Sequence, residues 1–155
     1  MAEEVRWLDD DERETWLALM GVIVRLPAVL DAQLRRDAGL SQFEYQVLAG
    51  LSMAEGRTLK MTELATMAVS SLSRLSHGCT RLEAQGWVER SVDPANKRVK
   101  LARLTDAGYA KVVATAPGHV KEVRQLVFDP LSKAEVKKLR VAADKILGAT
   151  GPAPW

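Results

Sequence analysis

The run from Thr62 to Thr105, TELATMAVSSLSRLSHGCTRLEAQGWVERSVDPANKRVKLARLT, constrains the fold more than any other part of the chain. A short helical pattern over 62–68 is followed by a turn at Val69-Ser70-Ser71. A second helical pattern over 72–85 stops at Gly86. Two strand-like runs follow, 87–92 and 98–104, joined by the loop Asp93-Pro94-Ala95-Asn96-Lys97. Helix, turn, helix and hairpin is the order of a winged helix-turn-helix, whose second helix is shaped for a DNA major groove.

Within the second helix, Leu72, Leu75, Cys79 and Leu82 recur at three- and four-residue spacing, so they are expected to share an inward face. Ser73, Arg74, His77 and Arg81 fall mostly on the opposite side, and all can donate hydrogen bonds to base edges or phosphates. Taken alone, this face is equally that of any solvated helix. Ser70 or Ser71 is expected to cap the helix, and either hydroxyl can also donate to a phosphate. In the hairpin, Val88, Val92, Val99 and Leu101 alternate with Glu89, Lys100 and Arg103, and Lys97 and Arg98 make a basic tip. Such a ribbon can press into a minor groove, although the same residues suit an ordinary polar loop.

The charge distribution favours the nucleic-acid reading. The net charge is only +2, but the segment 57–103 carries nine basic and four acidic residues, while the first twenty residues carry seven acidic and two basic ones.

The ordered set Ser73-Arg74, Arg81-Leu82-Glu83, Gly86-Trp87-Val88-Glu89-Arg90, Asp93-Pro94, Lys97-Arg98 and Leu104-Thr105-Asp106-Ala107-Gly108 resembles the MarR family of bacterial transcriptional regulators. The flanks fit too, so the resemblance covers roughly 10–147. It implies a dimer of six-helix subunits that binds a palindromic operator and releases it when a small phenolic or other ligand binds. The DNA-binding residues it implies are Ser70, Ser71, Ser73, Arg74, His77, Arg81, Lys97 and Arg98. The family's wing usually has an acidic residue and two arginines where this chain has Asn96, Lys97 and Arg98. Arg98 is expected to pair with Asp93 across the base of the wing, leaving Lys97 nearer the tip; which of the two reads the minor groove stays open. Family ligands commonly sit between the dimer helices and the DNA-binding lobe, where Trp16, Met20 and Tyr45 are candidates to line a cleft for a small aromatic effector, with core packing as the competing role for each.

The expected fold class is mostly α with a small β-hairpin wing. An N-terminal helix from Asp10 to Arg36 starts at a run of carboxylates and carries the stripe Trp16, Met20, Ile23, Pro27, Leu30 and Leu34, with a kink at Pro27. Ser41 and Glu44 form a capping box for a second helix ending near Ala54, with Val47, Leu48 and Leu51 inward. Leu59 and Lys60 suggest a short strand pairing with the wing. Thr62 is expected to cap the third helix. Thr105 is expected to cap a fifth helix reaching Val127, kinked or split at Pro117-Gly118, with Val112, Val113, Ala116, Val120, Val123 and Leu126 apolar. A sixth helix, boxed by Ser132 and Glu135, runs to Leu147 with Val136, Leu139, Ala143 and Ile146 inward. The chain thus divides into an N-terminal dimerisation helix (1–36), a winged helix-turn-helix lobe (40–104), C-terminal dimerisation helices (105–148) and a disordered tail (149–155), with residues 1–8 frayed. The outer helices are too apolar to be needed by a lone winged helix, and a symmetric dimer would cover them.

With 47% hydrophobic residues the chain is a folded protein of one domain. Its one cysteine excludes an internal disulfide. Nothing resembles a signal peptide and no uninterrupted apolar run reaches about 20 residues, so a cytoplasmic location is expected. His77 and Cys79 lie about 200° apart on one helix and cannot form a nucleophile–base pair. No metal-ligand cluster or phosphate loop is present in the sequence, so no cofactor and no enzymatic role are expected. Some relatives sense oxidants through a cysteine near the end of the first helix; this chain has none there, and Cys79 reads as a small core residue. A winged helix that binds a protein instead of DNA is the alternative function.

Overall fold

The computed structural model describes residues 5–151. Helix α1 spans Asp10–Ala38 and α2 spans Gln42–Met53; a short 3-10 turn, Glu55–Arg57, leads to strand β1, Thr58–Lys60. Helices α3 (Met61–Met67) and α4 (Leu72–Ala84) precede the wing strands β2 (Val88–Val92) and β3 (Lys100–Leu104). Helix α5 (Asp106–Val123) passes into a single π turn, Arg124–Phe128, and α6 covers Lys133–Thr150.

Local chemistry accounts for most boundaries. Asp9 and Glu12 form a capping box at α1, and Ser41 with Glu44 and Ser132 with Glu135 do the same for α2 and α6. Gly39 ends α1 in the left-handed conformation at φ 67°, and the helix runs to Ala38, two residues beyond the expected end at Arg36. The cap of the third helix lies two residues earlier than expected. Lys60, not Thr62, is its cap residue, and the Lys60 N–H donates to the Glu63 carboxylate at 3.2 Å.

Neither internal proline breaks its helix. Pro117 lies inside the continuous α5, so of the kink or split expected there the split does not occur, and Pro27 lies inside the continuous α1. Proline deletes the bond to the carbonyl four residues back. Those carbonyls belong to Val113 and Ile23, both on exposed positions where water can replace the lost donor. The tail expected to be disordered from 149 is helical through Thr150, and 152–155 lie outside the described residues. At the other end, 1–4 also lie outside them, and 5–8 are exposed and precede the first helix.

The sheet has the order β1-β3-β2, all antiparallel, with Leu59 opposite Ala102 and Arg90 opposite Ala102 on the other side. The short strand at Leu59-Lys60 therefore does pair with the wing. The core gathers Leu40, Val47, Leu48 and Leu51 from the α2 region, Leu64 from α3, Leu75, Cys79 and Leu82 from α4, and Val88, Ala102 and Leu104 from the wing. On β3 the inward residues are Ala102 and Leu104, whereas Leu101 is only partly buried; on β2, Val92 is half exposed. Glycines permit two close approaches. A Cβ on Gly78 would lie 2.8 Å from the Phe43 ring, and one on Gly108 would lie 2.1 Å from the Trp87 carbonyl oxygen. The first lets α4 settle on α2, and the second seats the start of α5 against the base of the wing. Lys111 of α5 donates to the Ala38 carbonyl at 2.7 Å, tying the end of α1 to α5.

The outer helices are less buried than their stripes suggest. On α1 only Leu30, Gln33 and Leu34 are buried, while Trp16 and Ile23 are each about half exposed. Of the apolar face expected on α5 only Val112 is buried, and α6 has no buried residue at all. Much of their apolar faces stays uncovered among the described residues.

The turn between α3 and α4 holds Val69 at φ 46°, a left-handed conformation that a β-branched residue adopts only under strain. Its side chain is 67% exposed and repays little of that strain by packing. Val69→Gly is expected to raise stability by about 1 kcal/mol. A urea titration checks this, and a lower midpoint for the glycine variant would contradict it.

Candidate nucleic-acid interface

Helix α4 presents its polar side outward. Ser71 is the cap: its Oγ accepts from the Arg74 N–H at 3.1 Å, while the Ser70 hydroxyl donates to the Ser71 carbonyl at 3.0 Å. Ser73, Arg74, His77 and Arg81 are all exposed, as expected. Leu75, Gly78, Cys79 and Leu82 are buried behind them. Leu72 departs from the expectation of an inward position and is 51% exposed. At 100° per residue it stands about 70° from the centre of the buried stripe, at the end where the core stops.

The two arginines are oriented by α2. The Arg74 guanidinium lies over the Phe43 ring, 4.5 Å from its centroid. Arg81 Nε donates to Glu44 Oε1 at 2.7 Å. Glu44 already accepts from the Ser41 N–H, and these hydrogen bonds outweigh its burial to hold its carboxyl below the usual range. Arg81 is thus a brace between the recognition helix and α2 as well as an outward cation, a use not expected from the sequence.

The wing loop is closed by its own backbone. Asp93 N–H donates to the Val99 carbonyl at 2.9 Å, and Asp93 Oδ1 accepts from the Ala95 N–H at 2.8 Å. The expected Asp93–Arg98 ion pair is absent among the described residues; the short loop turns the Asp93 carboxylate back onto Ala95. Asn96 Oδ1 accepts from the Arg98 N–H at 3.1 Å. Lys97 and Arg98 are both exposed at the tip, and neither side chain has an ionic partner among the described residues.

Arg90 is the residue that sequence reasoning passed over. From β2 it reaches Glu83 through Nε at 2.9 Å, Ser76 Oγ through Nη1 at 3.0 Å and Thr80 Oγ1 through Nη2 at 3.0 Å. Its backbone N–H also donates to Glu83 Oε1 at 2.9 Å. These bonds join the wing to one flank of α4 and hold the Glu83 carboxyl below its ordinary range.

Trp16, Met20 and Tyr45 do not form one cleft within the chain. The Tyr45 ring packs on His119 with centroids 4.7 Å apart, and His119 Nδ1 lies 3.3 Å from Gln33 Oε1. Trp16 is 17 residues from Gln33, roughly 25 Å along the helix. A different cleft, of about 820 Å³, opens between α1, the start of α2 and the exposed polar side of α4, where Gln42, Phe43, Arg74, His77 and Arg81 line it. Cys79 is fully buried, and burial pushes its thiol up to about 11. The folded protein is expected to leave Cys79 unmodified by a thiol-specific chromogenic reagent at neutral pH and to release one equivalent on denaturation. Prompt reaction of the folded form would contradict this placement.

A buried-faced recognition helix, a three-stranded wing and exposed basic groups on both define a winged helix-turn-helix protein. Residues 38–99 match the model of the MarR family. The chain is 42% identical to Sco3205, a MarR family transcriptional regulator from Streptomyces coelicolor whose crystal structure is of a complex with DNA, with a TM-score of 0.91 over 96% of this chain and 94% of that one. It is 34% identical to AbsC, a MarR family transcriptional regulator of the same organism, with a TM-score of 0.89 over 94% and 98% of the two chains. YdcH of Bacillus subtilis, an uncharacterized HTH-type transcriptional regulator, is 34% identical over 83 residues, which span 54% of this chain and only 56% of that curated relative. The chain belongs to the MarR family of transcriptional regulators.

Proposed function

We propose that this protein binds double-stranded DNA sequence-specifically, as a homodimer on a palindromic operator, and represses transcription until a small ligand releases it. The observation that carries the reading is the shared outward presentation of Ser73, Arg74 and His77 on α4 and of Lys97 and Arg98 on the wing. Arg74 serves base edges, Ser70, Ser71 and Arg81 serve phosphates, and the wing tip serves the minor groove. The DNA complex of the Streptomyces relative supports the same use of this face here.

The uncovered apolar surface supports the dimer. Helix α1 holds an 18-residue window of mean hydropathy 1.7, of which 17% is buried within the chain, which is long and apolar enough to cross a membrane by length and composition. It does not stand alone: Val22, Leu26 and Val29 face Leu126 and Leu139 across an open groove of about 820 Å³. A second copy offers the same groove and the same stripes, which is what two-fold association requires. The reading places the protein with the chromosome in the cytoplasm. The 820 Å³ cleft, lined by the outward residues Arg74, His77 and Arg81, is the proposed effector site, because a small aromatic acid there would compete with DNA for Arg74.

Lys97→Ala is expected to weaken binding to all duplexes about equally and to lower the slope of log affinity against log salt by roughly one per wing. Titrations at several salt concentrations check it; an unaltered slope would leave Arg98 as the only minor-groove cation. Sedimentation equilibrium tests the dimer, with a 17.0 kDa species as the contradicting result.

A further inference from the structure

The exposed Leu72 is unexplained by the core or by the charged contacts. It occupies the first position of α4, where an acidic residue or proline would serve the helix end better than leucine. It is 51% exposed, and its neighbours Ser71, Ser73 and Arg74 are exposed polar groups. Between Met61 and Leu104 the only other large apolar side chains so exposed are Val69, in the strained turn just before it, and Val92, where β2 runs into the wing loop. Side chains on a helix lean toward its N-terminus, so Leu72 projects past the start of α4, the end that enters a major groove first. Apart from Val69, its exposed neighbours on that edge are hydrogen-bonding groups. The one apolar feature a major groove offers is the 5-methyl group of thymine.

We infer that Leu72 is a specificity-determining residue that recognises a thymine methyl group near the centre of each half-site's major-groove contact. This rests on the DNA-binding reading above. Burying one methyl against Leu72 gives about a fourfold preference for thymine over uracil in a half-site, and about fifteenfold when both half-sites are changed. The contact adds base discrimination that the serine hydroxyls cannot supply, because a hydroxyl bonds to several bases.

The test uses the full-length protein and duplexes that it selects from a random-sequence pool. Each thymine of the selected site is replaced in turn by deoxyuridine, which removes the methyl and keeps the pairing edge. Binding is measured for the unmodified protein and for Leu72→Ala, an exposed substitution that leaves the core intact. The expected result is one thymine per half-site whose demethylation weakens the unmodified protein about fifteenfold over both half-sites. The same change leaves Leu72→Ala unaffected, and the variant binds the thymine duplex as weakly as the unmodified protein binds the uracil one. Selection of a site in which no demethylation matters, or in which it weakens both proteins equally, overturns the role of Leu72 alone. Failure to select any sequence overturns the DNA-binding reading and this inference together.

Discussion

Replacing Arg74 with alanine is expected to lower affinity for the operator at least about thirtyfold while the protein stays folded. The magnitude follows from the loss of one bidentate base contact, worth about 1–3 kcal/mol, in each of two half-sites. The fold is insulated from the change. The Arg74 backbone N–H, not its side chain, completes the Ser71 cap, so the helix start survives. Among the described residues the side chain's one interaction is its position over Phe43, and losing that contact costs about 0.5–1 kcal/mol. A gel-shift titration with a melting curve on the same sample separates the two effects. Unchanged operator affinity would remove Arg74 from the interface, and a collapse of the melting transition would make it a structural residue.

Arg90→Ala is the second large effect, and it falls on stability first. The substitution removes the guanidinium from Glu83, Ser76 and Thr80 together and leaves the Glu83 carboxylate with the backbone N–H of residue 90 alone. Both side chains of the ion pair are 29% exposed, so water recovers part of the loss, and a cost of about 2–3 kcal/mol is expected. Arg90→Lys keeps the charge without the planar fork and is expected to recover less than half of it. The pH dependence has a definite sign. The folded Glu83 carboxyl titrates below its ordinary value of 4.5, so its stabilisation is complete above that pH and is lost as pH falls through the lowered value. The gap between the parent protein and Arg90→Ala therefore narrows in acid. Freed from α4, the wing also loses its fixed aim, so Lys97→Ala and Arg90→Ala are expected to be non-additive in DNA affinity. Strict additivity, or an unchanged denaturation midpoint, would contradict the role of Arg90 as the weld between wing and helix.

Local signals carried the sequence reading where structure is decided locally. The capping boxes at Ser41 and Ser132 needed only residues three apart, and the hairpin needed only alternation and an Asp-Pro turn. The positions of Ser73, Arg74 and His77 followed from helical spacing alone. What failed was decided across longer distances. Arg90 meets partners 7, 10 and 14 residues away around a turn, a pattern without any periodicity. Arg81 meets Glu44 from 37 residues away. Leu72 keeps the spacing of the core stripe but lies past the end of the core, and Asp93 spends its carboxylate on the nearest backbone donor before it can reach Arg98. The stripes of α1, α5 and α6 were visible, but much of each stays exposed among the described residues.

The most direct test of the account is recovery of sheared genomic DNA by the purified full-length protein at near-physiological salt, read by sequencing. The account predicts enrichment of one inverted repeat whose half-sites lie about one helical turn, ~10 base pairs, apart. Diffuse recovery without a motif, vanishing as salt is raised, would contradict it.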